Sequence, residues 1–388
     1  MNFRRATLLF VLLLTCVEFR DAMGQNDRTG ACVTFSADGA AVTGTIRNGE
    51  LTTHLEEPGS PADTIHSVVG NASRCEEAFS NDGRWIAIVV PSDKLTVLIV
   101  DRKTRAIHNR FSSEWHGFHN MPFEPLYQSP FLGGFLDDGS LVLWRYVPQK
   151  GATDSDASSL DMHLQRWTVQ GELLSEEDLG APGSEPRGRG PLTANHMHQL
   201  WIPGGCGLGC YRGFSLETNK LVEDGSLHFQ KANAATPVDI FTAKRLLSIV
   251  GDRTDQQAVL FDYEGKVESN VALPYTPNFF GPLVPDWYYT HELQPSSDDE
   301  IAVVGRTRVA WILVDTDRDW GSEIVLIKLN PLGVLATLKT GKGGIRALAV
   351  DHRNGTSHVL GFWKQRWHDL NSSDNHPGKW REMTGWGS

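Results

Sequence analysis

The chain has 388 residues, of which 40% are hydrophobic and 21% are charged, and its formal net charge at pH 7 is -11. This composition is typical of a soluble globular protein and excludes a disordered chain, a collagen-like fibre and a small disulfide-rich scaffold. The acidic charge and the lack of a basic stripe argue against nucleic-acid binding, because a phosphate backbone repels an acidic surface.

Residues 1–24 have the organisation of a secretory signal peptide. Arg4 and Arg5 precede an apolar run that is too short to span a bilayer comfortably. Small residues at Ala22 and Gly24 predict cleavage before Gln25. The competing interpretation is a lipoprotein whose lipobox ends at Cys16, a motif that the preceding threonine fits poorly. No later apolar run reaches transmembrane length, so we expect a secreted or periplasmic protein without a transmembrane segment.

An internal repeat follows the signal sequence. The segment FSADG at 35–39 is echoed by FSNDG at 79–83 and by FLDDG at 135–139. Weaker echoes lie at 202–205, 241–244, 295–299 and 350–355. Each echo is interpreted as a turn between two apolar runs, as in a β-hairpin, and the three strongest echoes are rich in Asp and Gly. Seven such anchors predict an all-β fold, a single propeller of seven four-stranded antiparallel blades over residues 25–370, with almost no helix.

The second repeat resembles the repeats of WD-repeat and TolB/YVTN-type propellers. The resemblance rests on FSNDGRWIA at 79–87 and LIVDRKT at 98–104. It implies four-stranded blades around a central channel. The Gly-His and Trp-Asp signatures of true WD repeats are absent, and propellers of this kind have many functions, so the resemblance concerns architecture rather than chemistry.

Removal of the signal sequence leaves four cysteines, Cys32, Cys75, Cys206 and Cys210. An even number in an exported protein favours disulfides over buried free thiols. Cys32 and Cys75 lie three and four residues before the matching Phe35 and Phe79, which places them on neighbouring innermost strands. The repeat therefore predicts a Cys32–Cys75 disulfide, and the remaining pair would close a small glycine-rich loop.

Three segments lack a strand pattern. Residues 149–161 are polar and acidic and predict a long surface loop, and residues 180–190 are rich in Gly, Pro and Arg. Residues 371–388 are polar and predict a loosely ordered tail.

The candidate binding residues lie in segments expected to connect the outermost strand of one blade to the innermost strand of the next. Such connections emerge on one face of a propeller, the funnel face, where they form a common site. The histidines at 196 and 198 rank first, because they lie closest to an expected innermost strand at 198–202 and their spacing puts two imidazoles on one face of a strand. The alternative is a set of hydrogen-bonded histidines lining a wet channel. The candidates are His116, His119, Arg187, Arg189, His196, His198, Trp287, Tyr289, His291 and Arg346.

Alternating aspartates at Asp315, Asp317 and Asp319 resemble the start of a calcium-binding loop. Gly321 comes one residue late for an EF-hand, and Arg318 adds an opposing charge, so a solvated hairpin loop is the competing interpretation. Calcium or another divalent metal is thus the only cofactor type that the sequence suggests.

These observations predict an exported propeller that recognises a protein partner or a small ligand at its funnel face. Imidazole, guanidinium and aromatic side chains on an acidic protein favour an anionic, partly apolar or sugar-like ligand. The alternative is a lyase or hydrolase in which funnel histidines bind a metal or act as acid–base groups.

Overall fold

In the computed structural model, the described residues form strands, turns and irregular segments and contain no helix. The structure describes residues 30–70, 72, 74–92, 94–114, 132–148, 160–179, 192–194, 199–203, 210–215, 220–221, 227–228, 238–241, 246–250, 255–262, 266–276, 289–296, 300–308, 321–340, 345, 347–353, 355–363, 366–369 and 381–382. The prediction of an all-β fold is confirmed for this part of the chain.

The described strands form seven antiparallel sheets, numbered here in chain order. Sheet 1 consists of β1 (Gly30–Phe35), β2 (Ala41–Arg47), β3 (Glu50–Glu56) and β4 (Asp63–Val68). Sheet 2 consists of β5 (Glu76–Phe79), β6 (Trp85–Pro91), β7 (Leu95–Asp101) and β8 (Ala106–Ser113). Sheet 3 consists of β9 (Leu132–Phe135), β10 (Leu141–Pro148), β11 (Leu160–Trp167) and β12 (Leu173–Asp178).

Sheet 4 consists of β13 (Leu192–Ala194), β14 (Gln199–Pro203), β15 (Cys210–Ser215), β16 (Lys220–Leu221) and β17 (Leu227–His228), and both β16 and β17 pair with β15. Sheet 5 consists of β18 (Val238–Phe241), β19 (Leu246–Val250), β20 (Gln257–Phe261) and β21 (Val267–Ala272). Sheet 6 consists of β22 (Tyr289–Pro295), β23 (Ile301–Arg308), β24 (Ser322–Leu329) and β25 (Leu332–Lys339). Sheet 7 consists of β26 (Ala347–Arg353), β27 (Thr356–Trp363), β28 (Arg366–Asp369) and β29 (Arg381–Glu382).

Apolar side chains fill the space between neighbouring sheets. In β6, Ile88 belongs to a core shared with sheet 1, whereas Val89 belongs to a core shared with sheet 3. Because both faces of sheet 2 are covered, all residues of Trp85–Pro91 are buried, and the strand is an unbroken apolar run rather than an alternating one. Apolar cores with side chains from two sheets also join sheet 5 to sheet 6 and sheet 6 to sheet 7.

The last sheet packs against the first. Trp367 of β28 is fully buried in a cluster with Phe362 of sheet 7 and Ala31 and Ala41 of sheet 1. Its indole Nε1 donates a hydrogen bond to Oγ1 of Thr45, at 3.3 Å. Residues 322 positions apart in sequence therefore share one buried interface.

The first strands of successive sheets contact one another in chain order. These contacts join β1 to β5, β5 to β9, β9 to β13, β13 to β18, β18 to β22, β22 to β26 and β26 to β1. The series thus begins and ends at sheet 1.

The outer edges of sheets 2, 3, 5 and 6 share a β-bulge. In each, the register between the third and fourth strands shifts by one residue near the start of the fourth strand. An exposed aliphatic residue lies beside each shift, namely Ile107, Leu173, Val267 and Val334. A bulge bends an edge strand and so hinders its pairing with another chain.

The repeat anchors locate the first hairpin of every sheet except sheet 4. There the first two strands are β13 and β14, with Ala194 paired to Gln199, so the anchor at 202–205 lies one strand too late. The expected innermost strand at 198–202 is instead largely β14, the second strand. At the C-terminus, Arg381 and Glu382 pair with β28, so the segment predicted as a loose tail adds a short strand to sheet 7.

The predicted disulfide is confirmed. Cys32 of β1 is bonded to Cys75, which directly precedes β5, with a Cα–Cα distance of 5.3 Å. Cys206 lies outside the described residues. Cys210 is the first residue of β15, where it is paired in register with His228.

Substitution of Trp367 tests the interface between sheets 7 and 1. We expect Trp367→Ala to lower the free energy of unfolding by about 3–5 kcal/mol, because it leaves a large cavity in the interface. Trp367→Phe should cost less, because the ring still fills most of that space. Urea denaturation measures both. A Trp367→Ala protein with the wild-type midpoint would contradict the role of this interface.

Candidate functional site

The two ends of the sheets differ in the hydrogen bonds and ion pairs that their polar groups form. The turn face is the end where the first hairpins close, and it carries residues 36–40, 80–84 and 136–140. There Oγ of Ser36 donates to Asp38 at 2.5 Å, and Oγ of Ser80 donates to Asp82 at 2.6 Å. In the third turn the order is reversed, and the serine at 140 donates to the aspartate at 138 at 2.5 Å. A glycine with positive φ completes each turn.

Charged groups of the turn face also bind one another between sheets. The Arg102 guanidinium donates to Glu57 and to Asp38 of sheet 1, at 2.6 and 2.9 Å. Partial burial alone raises the pKa of Asp38, but hydrogen bonds from Arg102 and Ser36 outweigh it and hold the pKa below its ordinary value. Between sheets 2 and 3, Nδ2 of Asn81 donates to Asp137 at 2.6 Å. These groups therefore hold sheets together.

The connection face is the opposite end, where the chain leaves the fourth strand of one sheet and enters the next. Between sheets 2 and 3 it carries a hydrogen-bonded chain: Oγ of Ser113 donates to Gln165 at 2.7 Å, and Nε2 of Gln165 donates to Glu176 at 2.9 Å. Nδ1 of His163 lies 2.9 Å from the same carboxylate, and Arg145 lies 3.8 Å from it. Glu176 thereby orients the His163 imidazole.

A buried ion pair occupies the connection face of sheet 6. Arg306 and Glu323 are 3% and 2% exposed, and Nε of Arg306 donates to Glu323 at 3.0 Å. The pair binds the segment that follows β21, because the amide of Thr276 donates to Glu323 at 3.0 Å and the Arg306 guanidinium donates to the Thr276 carbonyl at 3.2 Å. The guanidinium also lies 4.1 Å from the centroid of the Tyr275 ring. Burial raises the pKa of Tyr275.

The register of sheet 6 extends this pair into a row. His291 of β22 is opposite Arg306, Arg306 is opposite Glu323, and Glu323 is opposite Lys339. Nζ of Lys339 lies 3.5 Å from Glu323. Tyr289 is opposite Arg308 at the same end of β22. Two predicted site residues thus lie on the strand beside the buried ion pair.

The other predicted site residues lie outside the described part of the chain. They are His116, His119, Arg187, Arg189, His196, His198, Trp287, Arg346 and the candidate calcium ligands Asp315, Asp317 and Asp319. The strand order still changes the interpretation of two of them. His196 and His198 lie in sequence between β13 and β14, the first two strands of sheet 4, and in the other sheets this position is on the turn face. The expected innermost strand, on which part of their ranking was based, is the second strand of sheet 4.

Three polar features escaped the sequence reasoning. Arg306 and Glu323 each stand next to an apolar strand segment, and a charge in that position is the available signal for a buried pair. The pairing of His163 with Glu176 depends on a hairpin register that the sequence does not specify. The third feature is Glu77 of β5, two residues after Cys75 of the disulfide.

Glu77 is a buried carboxyl in an apolar setting. Both of its carboxyl oxygens are buried and have no hydrogen-bond partner within the described residues. It is paired in register with Ile88, which belongs to the apolar core between sheets 1 and 2. Burial raises the pKa of Glu77 well above its ordinary value.

Among the described residues, no group of three or more His, Cys, Asp or Glu side chains is arranged to hold a metal ion. That part of the chain also contains no helix that is long and apolar enough to cross a membrane. No known protein-family profile matches the chain, and a comparison with curated proteins gives no match.

Variants of the buried ion pair test its role. We expect Arg306→Ala or Glu323→Ala alone to lower the free energy of unfolding by about 3–5 kcal/mol, because each leaves the other charge buried. The double variant Arg306→Met/Glu323→Leu should cost much less, because it removes both charges and keeps the volume. Urea denaturation of the three variants provides the comparison. Equal losses in the single and double variants would contradict this account.

The raised pKa of Glu77 predicts a pH dependence of stability. The folded chain keeps this proton at pH values where the unfolded chain, with a pKa near 4.5, has lost it. The contribution of this bound proton to the free energy of unfolding is therefore complete below the unfolded-state pKa. It is lost as the pH rises through the folded-state pKa, by about 1.4 kcal/mol for each pH unit between the unfolded-state and folded-state pKa values.

Glu77→Gln cannot ionise, so we expect its stability relative to wild type to increase between pH 4.5 and pH 8 in urea denaturation. The control is Glu76→Gln, since Glu76 points to sheet 3 and accepts a hydrogen bond from the Leu132 amide. Parallel pH profiles for wild type and Glu77→Gln would disprove the assignment.

Proposed function

We propose that the seven sheets are the blades of one closed β-propeller of the WD-repeat or TolB-like kind. Two observations support this architecture. The contacts between first strands pass from sheet to sheet and return from β26 to β1. The interface around Trp367 then joins the last blade to the first. In this arrangement the first strands surround the central channel, and the connection face is the funnel face.

We also propose that the protein is exported, to a periplasmic or extracellular location. Residues 1–24 have the charge and hydrophobicity pattern of a signal peptide. The Cys32–Cys75 disulfide is compatible with an oxidising compartment, where such bonds persist.

The function that the geometry supports best is ligand or partner binding at the connection face. The observation that carries this proposal is the division between the two faces. On the turn face, charged groups are bound to one another, and short hairpins lead from Phe35 to Ala41 and from Phe79 to Trp85. At the connection face, much longer segments lead from Ser113 to Leu132 and from Ala272 to Tyr289. Long connections on a rigid scaffold commonly carry binding residues.

The residue types of the connection face favour an anionic, partly apolar or sugar-like ligand. His291 and Tyr289 lie on β22, where His291 is opposite Arg306 in the register of sheet 6. The connections to the neighbouring blades supply the remaining groups. Arginine donates paired hydrogen bonds to carboxylates, and aromatic rings stack on sugar faces. In order along the chain, the residues that these segments carry are His116, His119, Arg187, Arg189, Trp287 and Arg346.

A second candidate function is a lyase or hydrolase that acts at the same face. The arrangement of His163 favours it, because a carboxylate that binds one ring nitrogen orients the imidazole for proton transfer at the other. Incubation with an oligosaccharide of uronic acids would distinguish the two candidates. An enzyme yields shortened products that His163→Ala abolishes, whereas a binding protein returns the oligosaccharide intact.

Thermal unfolding in the presence of candidate ligands tests the binding function. We expect an oligosaccharide of uronic acids, but not a neutral oligosaccharide of equal length, to raise the melting temperature. Ligand at 100 times its dissociation constant adds about 2.7 kcal/mol to stability. His291→Ala should weaken this binding at least about tenfold, the equivalent of about 1.4 kcal/mol.

The matched control is Asn81→Ala, an exposed change on the turn face. It should leave binding of the uronic acid oligosaccharide unchanged. A loss of binding in Asn81→Ala but not in His291→Ala would place the site on the wrong face and overturn the proposal.

Export predicts a specific N-terminus. When the full chain is produced in a secreting host, we expect the mature protein to begin at Gln25 and to carry the Cys32–Cys75 bond. Intact-mass measurement with and without reduction reads both features. A lipid-modified chain that begins at Cys16 would support the lipoprotein alternative, and a retained Met1 would contradict export.

A further inference from the structure

The Cys32–Cys75 disulfide is in an unusual environment. Both cysteines are buried, at 4% and 5% exposure, in the apolar core between sheets 1 and 2. Cys32 is paired in register with Gly44 of β2. Since this glycine has no side chain, the bridge lies directly against the backbone of β2.

A carboxyl group shares that space. The position that a β-carbon would take at Gly44 lies 2.6 Å from Sγ of Cys32, 3.2 Å from Sγ of Cys75 and 2.8 Å from Oε1 of Glu77. Two sulfurs and one carboxyl oxygen therefore converge over the same glycine. A side chain at residue 44 would displace them, so the glycine makes this contact possible.

The chemistry of the carboxyl group does not match that of a disulfide. A neutral carboxylic acid offers one O–H donor and one carbonyl acceptor, whereas a disulfide offers no donor and is a weak acceptor. Glu77 accordingly has no hydrogen-bond partner within the described residues. Two thiols would supply S–H donors and better acceptors at the same point. Reduction of the bridge would thus give Glu77 the partners that it lacks.

From this convergence we infer that Cys32–Cys75 is a reducible bridge in which Glu77 has two effects: it stabilises the reduced form through hydrogen bonds to the thiols, and it assists thiol–disulfide exchange as a proton donor. A thiolate of an external dithiol attacks one sulfur, the S–S bond breaks, and the departing sulfur takes the Glu77 proton. The second thiol of the reductant returns a proton to Glu77 as it resolves the mixed disulfide. The second cysteine leaves as a thiolate and takes from water the proton that the first thiol of the reductant released on ionising. Two electrons and two protons pass from the dithiol to the protein, which leaves two cysteine thiols and an oxidised reductant.

The location gives such an exchange a structural consequence. The bridge joins β1 to the segment that enters β5, and Ala31 of β1 also packs in the interface with sheet 7. A reductant gains access when β1, the first strand of the described chain, opens locally. The redox state of the bridge would therefore control how firmly sheet 1 is held between its two neighbours.

Equilibration of the oxidised full-length protein in mixtures of reduced and oxidised dithiothreitol tests this inference, with alkylation and mass spectrometry as the readout. We expect Glu77→Leu to require about a tenfold higher ratio of reduced to oxidised reagent for half-reduction, the equivalent of about 30 mV. The matched control Glu76→Gln should stay within about twofold of wild type, because its side chain points to sheet 3. Equal midpoints for wild type and Glu77→Leu, or the same displacement in Glu76→Gln, would overturn the inference.

The rate of reduction of a second variant, Glu77→Gln, tests the inference even if Glu77→Leu does not fold. Glu77→Gln has nearly the same shape but no acidic proton, so dithiothreitol should reduce its bridge at least about tenfold more slowly than that of wild type at pH 7, the low end of what a proton donor contributes. A wild-type reduction rate in Glu77→Gln would show that Glu77 has no part in the exchange.

Discussion

The structure depends on the packing of apolar sheet faces against neighbouring sheets. The middle strands are apolar on both faces, as in Trp85–Pro91, so a sheet with only one neighbour would expose a large apolar surface to water. The first and last sheets of an open row would each have such a surface. Contact between sheet 7 and sheet 1 through Trp367, Phe362 and Ala31 removes both surfaces at once. At the same interface, Asp369 of sheet 7 adds to the effect of burial in raising the pKa of Glu56 of sheet 1.

Because apolar residues fill the space between the sheets, the polar residues lie at the two ends of the sheets. The turn face repeats one hairpin design, and its charges bind neighbouring sheets, as Arg102 does with Glu57. Within the described residues, the hydrogen-bonded groups of the connection face differ between sheet 3 and sheet 6. The buried groups of this face, such as Arg306 and Glu323, hold the segments between sheets in place. A rigid base under long connections is the arrangement expected for a binding surface.

The sequence was sufficient for those parts of the fold that depend on local chemistry. Asp-Gly turns between apolar runs located the first hairpins, and matching positions in two repeats predicted the Cys32–Cys75 bond. Sheet 4 was misread because its glycine-rich anchor, at Gly204 and Gly205, follows the second strand β14 rather than the first strand. The partner of Arg306 and the surroundings of Glu77 could not be predicted, because they depend on strand register and on contact between sheets rather than on sequence spacing.

The distance between sheets 1 and 7 in solution tests the central claim most directly. Spin labels attached at positions 50 of sheet 1 and 358 of sheet 7 would report this distance by pulsed electron paramagnetic resonance. The native residues there, Glu50 and His358, are both at least partly exposed. Packed sheets lie about 10 Å apart, so a closed propeller predicts a single distance below about 30 Å. An open row would separate the labels by six sheet spacings, about 60 Å, and a peak there would contradict closure.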